Sequence, residues 1–159
     1  MQHHIQLDRE HLRGNGPLGR TVFLPGSSGR AAQIAERFHD VQVVDNPRGL
    51  TAHVGQLRDG DRVLDVLSIS SGMGPGSAEV VVHELLAAGA RRIVRVCSCG
   101  SMDAAVQPGQ VCILTGAVRD EMTSQHVAPL SVPAVSHPSA VHAMVAGARA
   151  AGLAEHTFV

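Results

Sequence analysis

Apolar positions along this chain fall into two periods. Short, nearly continuous runs rich in β-branched residues occupy Thr21–Leu24, Val63–Ser70, Ile93–Cys97 and Val111–Leu114. Each is bounded by Gly, Pro or Asn/Asp-type turn residues, so each reads as a buried strand. Val41–Val44 and Leu50–Leu57 suggest a hairpin ahead of Asp59-Gly60. Between these runs the period becomes helical. Residues 29–38 place Ala32, Ile34, Ala35 and Phe38 near one face, with Ser27 or Ser28 as N-cap. Residues 77–88 line up Val81, Leu85 and Ala88, with Gly89 positioned to end the helix. Residues 139–151 repeat the pattern through Val141, Met144, Val145 and Ala148 as far as Gly152. The last residues, Leu153–Val159, look like the start of a further strand. Strands alternating with helices predict an α/β fold, a central mixed, largely parallel sheet flanked by helices. No linker, repeat or low-complexity tract interrupts it, so residues 1–159 are expected to form a single domain.

Composition narrows the functional classes. A length of 159 residues suits one domain with a real core, and 44% hydrophobic against 17% charged residues excludes a disordered chain. A net charge of −1 provides no global field for nucleic acid or anionic lipid. Any anion site must therefore be a local cluster of arginines, the residue suited to bidentate phosphate recognition, and every basic residue apart from His is Arg. The start, Met1-Gln2-His3-His4, has neither the basic stretch nor the apolar run of a signal peptide. With an odd number of cysteines (Cys97, Cys99, Cys112), a reduced, cytoplasmic location is expected. Cys97-x-Cys99 lacks a second ligand pair at zinc spacing, so the cysteines read as small buried residues and no metal site is expected.

Three glycine-bearing turns each follow a predicted strand, where open α/β sheets bind ligands. The first, Pro25-Gly26-Ser27-Ser28-Gly29-Arg30, offers backbone N–H groups, a helix start and a guanidinium to an anion; otherwise Arg30 is a solvated surface charge. The second, Ser71-Gly72-Met73-Gly74-Pro75-Gly76-Ser77, has the wrong glycine intervals for a dinucleotide site, and reads either as a tight turn or as a ligand loop. The third follows Arg95, placed by the apolar run inside a strand, where an unpaired charge is costly. Its partner is either an anion at the strand's end or an acid such as Glu84 or Asp103.

In this order the turns resemble the nucleoside phosphorylase family, uridine phosphorylases above all. The resemblance runs from His3-His4-Ile5-Gln6-Leu7 through Val22-Phe-Leu-Pro-Gly26, Arg30, Asn46-Pro-Arg48 and Ser71-Gly-Met-Gly to Ser77. It continues through Glu84–Arg91, Ile93-Val-Arg-Val-Cys-Ser-Cys-Gly100, Val118–His126 and Pro133-Ala-Val135. It implies cleavage of a nucleoside by inorganic phosphate, giving free base and pentose 1-phosphate. Phosphate is the co-substrate, and no cofactor is expected. It further implies that Gly26, Arg30, Arg95 and Ser98 bind phosphate, with Arg30 and Arg95 also acting electrostatically on the transition state. Arg48 would join them from a neighbouring subunit. Ser98 would also touch the ribose, His4 would reach a neighbour's ribose 5′-hydroxyl, and Cys99 and Gly100 would border the base. A homodimer or hexamer follows.

The chain departs from the family at Ser27 and Ser28, which replace Asp-Pro, at Gly49, which replaces a Glu, and at Cys97-Ser98, which replaces Gly-Thr. The family's Glu-Met-Glu ribose segment and its base-reading residues do not occur in these 159 residues. A chain representing the N-terminal part of the fold is therefore expected, inactive by itself. The other readings are a purine nucleoside phosphorylase or nucleosidase on the same fold, and a non-catalytic phosphate-binding or assembly homologue. Three retained arginines disfavour hydrolysis by water.

Overall fold

A computed structural model describes all 159 residues, which pack as two compact units, Met1–Ser98 and Cys99–Val159. In the first, a four-residue helix α1 (Arg9–Leu12) precedes β1 (Thr21–Leu24), α2 (Ser28–Ala35), β2 (His39–Val44), β3 (Ala52–Asp59), β4 (Arg62–Ile69), α3 (Gly74–Ala88) and β5 (Arg92–Arg95). The five strands form one sheet in the order β2-β3-β4-β1-β5. β1 is parallel to both β4 and β5, while β3 is antiparallel to β2 and β4. Every strand except β3 therefore runs the same way, giving the mixed, largely parallel sheet that the alternating pattern predicts. The expected hairpin is β2–β3, and Asp59-Gly60 makes the next turn, into β4.

Side-chain alternation along β4 explains the layering. Leu67 and Ile69 join Val22, Leu24, Val81, Leu85 and Ala88 in one cluster, whereas Val66 joins Ala35 and Phe38 in another. The first cluster also takes in Ile5 and Leu7, both fully buried, so the N-terminal arm is part of the core. Helix α2 differs from its predicted phase and length. Ala31 and Ala35 are buried, Ala32 is exposed, and Phe38 packs inward from just beyond the helix end. Ala31 and Ala32 are equally apolar, so the pattern alone did not fix which of them faces the sheet. Ser27 caps α2 through its hydroxyl, which accepts from Arg30 N–H at 3.3 Å. Gly89 ends α3 as expected.

The second unit holds β6 (Val111–Cys112), β7 (Gly116–Ala117), β8 (Ala134–Val135), α4 (Pro138–Ala150) and β9 (Thr157–Phe158). Its ladders are two residues long: β6 with β9 in parallel, β7 with β8 antiparallel. The strand expected over Val111–Leu114 is thus shorter, though Ile113 N–H still donates to Phe158 O at 2.8 Å. The strand expected within Leu153–Val159 is β9. No helix in the chain is long and apolar enough to cross a membrane.

Candidate functional site

Because β1, β4 and β5 are parallel, the turns that follow them emerge at one edge of the sheet. There the structure brings Gly26, Arg30, Arg95, Cys97 and Ser98 together. Arg30 Nη2 donates to Ser98 Oγ at 3.2 Å and its Nη1 lies 3.4 Å from Cys97 Sγ. Arg95 Nη2 lies 3.8 Å from the same sulfur. Gly26 forms the floor between them: a Cβ there would stand 3.4 Å from Cys97 Sγ and 3.6 Å from Arg95 Nη2. Two guanidiniums from separate elements therefore face one thiol and one hydroxyl over a bare backbone. Within the Met1–Ser98 unit neither is ion-paired to a carboxylate. Such a pair supplies several N–H donors and two positive charges to one small anion.

Arg95 corrects its sequence reading. It is the last residue of β5 and exposed, so no buried charge needs a partner. The alternative pairing with Glu84 is overturned as well, since that carboxylate holds His4 and Ile5 instead. What orients Arg95 is Ser71, whose fully buried hydroxyl accepts from Arg95 Nη1, with Leu24 O accepting from the same nitrogen at 3.3 Å. Sequence reasoning gave Ser71 no role. Its signal is a cluster of serines, Ser68, Ser70 and Ser71, at and just beyond the apolar end of β4; all three are buried. Gly72, next in the chain, has φ +68°, and a Cβ on it would collide with Ser77 Oγ. This glycine is required by backbone conformation and by close approach together. Ser77 Oγ also donates to Ser71 O at 2.8 Å, fixing the turn that presents Ser71 to Arg95.

The cysteines are corrected too. Cys97, Cys99 and Cys112 are all exposed free thiols. Cys97 lies beyond the end of β5, and Cys112 sits in a two-residue ladder with no layer covering it. The substitutions at the first turn are absorbed locally: Ser27 caps α2, and Ser28 Oγ donates to Gly49 O at 2.5 Å. Gly49 belongs to the β2–β3 connection, which an Asn46 side-chain turn shapes by accepting from Arg48 and Leu50 N–H groups, each at 3.1 Å. Cys99 and Gly100 open the second unit as exposed chain outside any helix or strand.

A second concavity, about 470 Å³, is lined by His4, Arg48, Leu50, Gly72, Gly76, Ser77, Val80 and Val81. The structure thus brings His4 and Arg48, 44 positions apart in the numbering, to one hollow. His4 Nδ1 lies 2.7 Å from Glu84 Oε1. Burial by itself would raise the Glu84 carboxyl. Hydrogen bonds from Ile5 N–H and from the His4 ring and N–H outweigh it and hold the group below its ordinary value. No group of three or more His, Cys, Asp or Glu side chains is arranged to hold a metal ion.

Known proteins match this chain in sequence. The uridine phosphorylase of Treponema pallidum is 36% identical over 118 residues, 74% of this chain and 44% of that protein. That of Haemophilus influenzae is 28% identical over 150 residues, 94% of this chain and 56% of the relative. A guanosine phosphorylase of Halorubrum lacusprofundi is 30% identical over 133 residues, covering 84% and 54%. The chain spans about half the length of the curated relatives it matches. The sequence profile of the phosphorylase superfamily matches residues 20–158, which includes every strand and helix of the sheet unit from β1 onward, and the chain belongs to that superfamily.

Proposed function

We propose that this chain gathers phosphate for the phosphorolysis of a nucleoside, with uridine or a related pyrimidine nucleoside as substrate. The observation that carries the reading is the convergence of the Arg30 and Arg95 guanidiniums on Cys97 and Ser98 over Gly26, with no carboxylate from their own unit paired to either. A phosphate dianion held there satisfies both charges. In the reaction the bond between C1′ and the base nitrogen breaks and its electron pair leaves with the base. The sugar passes through an oxocarbenium-like state, and a phosphate oxygen bonds to C1′. Arg30 and Arg95 hold that oxygen in place and oppose the positive charge on C1′ with an oriented anion, so their contribution is positioning and electrostatics. Ser98 stands between phosphate and ribose.

Arg48 and His4 complete a neighbouring subunit's site, making the active unit a homodimer or a hexamer, while Cys99 and Gly100 border the base. The names of the uridine phosphorylases support the pyrimidine substrate, and the guanosine phosphorylase among the relatives makes purine nucleosides the necessary comparison. Phosphate is a co-substrate and no cofactor takes part. Three free thiols suit a reducing cytoplasm.

Titration with inorganic phosphate, followed by calorimetry or ³¹P line broadening, tests the anion site on the chain itself. Saturable binding is expected, weakened more than about tenfold in Arg95→Ala, in line with the roughly 1.5–3 kcal/mol of a hydrogen bond to a charged group. Unchanged binding in that variant would sink the assignment. Release of base from uridine, thymidine or inosine is not expected of these 159 residues by themselves, and base release that needs no phosphate would make the protein a hydrolase.

A further inference from the structure

Outside the arginine cradle, the most highly engaged polar side chain of the sheet unit is Glu84. It sits on α3 one residue before the buried Leu85, and its side chain keeps only 14% of its exposure. The carboxylate accepts from Ile5 N–H at 2.9 Å and from His4 N–H at 3.0 and 3.1 Å, and it meets His4 Nδ1 at 2.7 Å. One acid therefore anchors both the backbone and the ring of His4. The backbone contacts would suffice to dock the arm, because Ile5 and Leu7 are already fully buried. The ring contact adds something they cannot supply. A carboxylate accepts only, so the proton on this ring must lie on Nδ1, and Nε2 is left as its second hydrogen-bonding atom. Nε2 has no partner in the structure, the ring is one-third exposed, and it lines the hollow shared with Arg48.

We infer that Glu84 is a positioning residue that fixes the Nδ1–H form of His4, so that Nε2 serves as a hydrogen-bond acceptor for a ligand hydroxyl presented beside Arg48. The ligand class is a polyhydroxylated, sugar-bearing molecule: a hydroxyl donor for Nε2 and, near the guanidinium, an anion. This deepens the phosphorylase reading, on which the identity of that molecule as a nucleoside rests. A histidine without such a partner prefers its proton on Nε2, where it would donate. The carboxylate reverses that preference, as acids do for ring orientation in metal and catalytic histidines.

Long-range ¹H–¹⁵N correlation spectra of the full chain at about pH 9, where an ordinary imidazole is neutral, test the assignment without any ligand or activity. His4 is expected with Nδ1 protonated and Nε2 bare. A ring protonated on Nε2 in the unaltered protein would overturn the inference. In Glu84→Leu, which offers no acceptor, the Nδ1–H population is expected to fall while the Ile5 and Leu7 methyl resonances keep their buried shifts, and an unchanged tautomer there would also overturn it. Affinity for a nucleoside relative to its 5′-deoxy analogue should drop roughly three- to tenfold in Glu84→Leu, the worth of one neutral hydrogen bond. Equal loss on both substrates would reduce Glu84 to holding the arm. An Nδ1–H ring whose Nε2 resonance does not move on saturation with uridine or inosine would refute the nucleoside reading while leaving the role of Glu84 intact.

Discussion

The two units of this chain are held by different kinds of force. Met1–Ser98 buries seventeen of the eighteen apolar side chains removed from solvent, on both sides of a five-stranded sheet, while Cys99–Val159 buries only Ile113. The second unit is organised instead by one cation. Arg119 donates from Nε to Ser124 Oγ at 3.0 Å, from Nη1 to Pro129 O and Val132 O at 2.6 and 2.8 Å, and from Nη2 to Ser124 O and Ala128 O at 2.8 and 2.6 Å. Five directed bonds shape the segment from 119 to 132, while Val118, Met122, Val127 and Leu130 stay exposed. Burial is non-directional and scales with area, so it tolerates a shift of a few tenths of an ångström. A fork of N–H donors does not, because each bond weakens steeply with angle. The first unit can therefore carry a preorganised anion site on its strand ends, and the second presents conformation without a core beneath it.

The largest expected effect comes from cutting the core of the first unit. Leu67 is fully buried in β4, and Leu67→Ala should cost about 2–5 kcal/mol of stability by denaturant titration. The matching truncation in the second unit, Val135→Ala, removes a side chain 68% exposed, and should change stability by less than about 0.5 kcal/mol. Similar losses at the two positions would erase the contrast between the units.

That contrast was partly readable in the sequence. The continuous runs Thr21–Leu24 and Val63–Ser70 announced buried strands, which holds for β1 and for the second half of β4 while Val63 and Leu64 are exposed, and the stripe Val81, Leu85, Ala88 announced the face of α3 that meets the sheet. The turns after the apolar runs drew attention to Arg30 and Arg95 as anion candidates, whereas Gly26 and Ser98 were implied as phosphate ligands only by the resemblance to nucleoside phosphorylases. Contacts without a periodic or compositional signature stayed hidden. Ser71 orients Arg95 through a hydroxyl that, in sequence, is just another turn serine. Glu84 offered itself in sequence only as a partner for Arg95, and its contacts with the N-terminal arm carry no signature until the arm folds over it. In the second unit, Val141, Met144, Val145 and Ala148 share a face as predicted, yet all four are only half-buried, because periodicity reports a face and not the depth of what packs against it. The five bonds of Arg119 follow from loop conformation, which a list of residues does not encode.

A middle-sized effect is expected at that fork. Arg119→Lys keeps the positive charge but replaces a planar set of donors with a single ammonium, which cannot serve four carbonyls and a hydroxyl at once. Amide exchange across residues 120–132 should accelerate about fivefold, corresponding to one net hydrogen bond of roughly 1 kcal/mol. Exchange of the β1 and β4 amides should not move. Unaltered exchange in the segment would show that Arg119 decorates the loop without holding it.

The smallest expected effect separates two carboxylates, one in each unit, whose values both lie below the ordinary one. At Glu121 the leading cause is the hydrogen bond from the Ser124 hydroxyl, followed by those from the Ser124 and Thr123 N–H groups, with Arg119 nearby. At Glu84 burial opposes ionisation, and the Ile5 and His4 donors overcome it. Because each folded value is depressed, each stabilises the fold fully above the ordinary carboxylate value near 4.5, and its contribution fades as pH falls through the lower, folded value. The amides of Ile5 and Ser124 should therefore hold their chemical shifts from about pH 7 down to about pH 5 and change only in stronger acid, below the titration of an unconstrained glutamate. The two sites should then diverge. Protonating Glu84 weakens only the polar contacts of an arm whose Ile5 and Leu7 remain fully buried, so exchange at Ile5 should rise only modestly while the arm stays docked. Protonating Glu121 weakens a capping contact with no core beneath it, so Ser124 should lose protection completely. Midpoints above pH 4.5 at either amide, or an arm that detaches before Ser124 is exposed, would show that the polar contacts of the first unit carry more of its order than its core does.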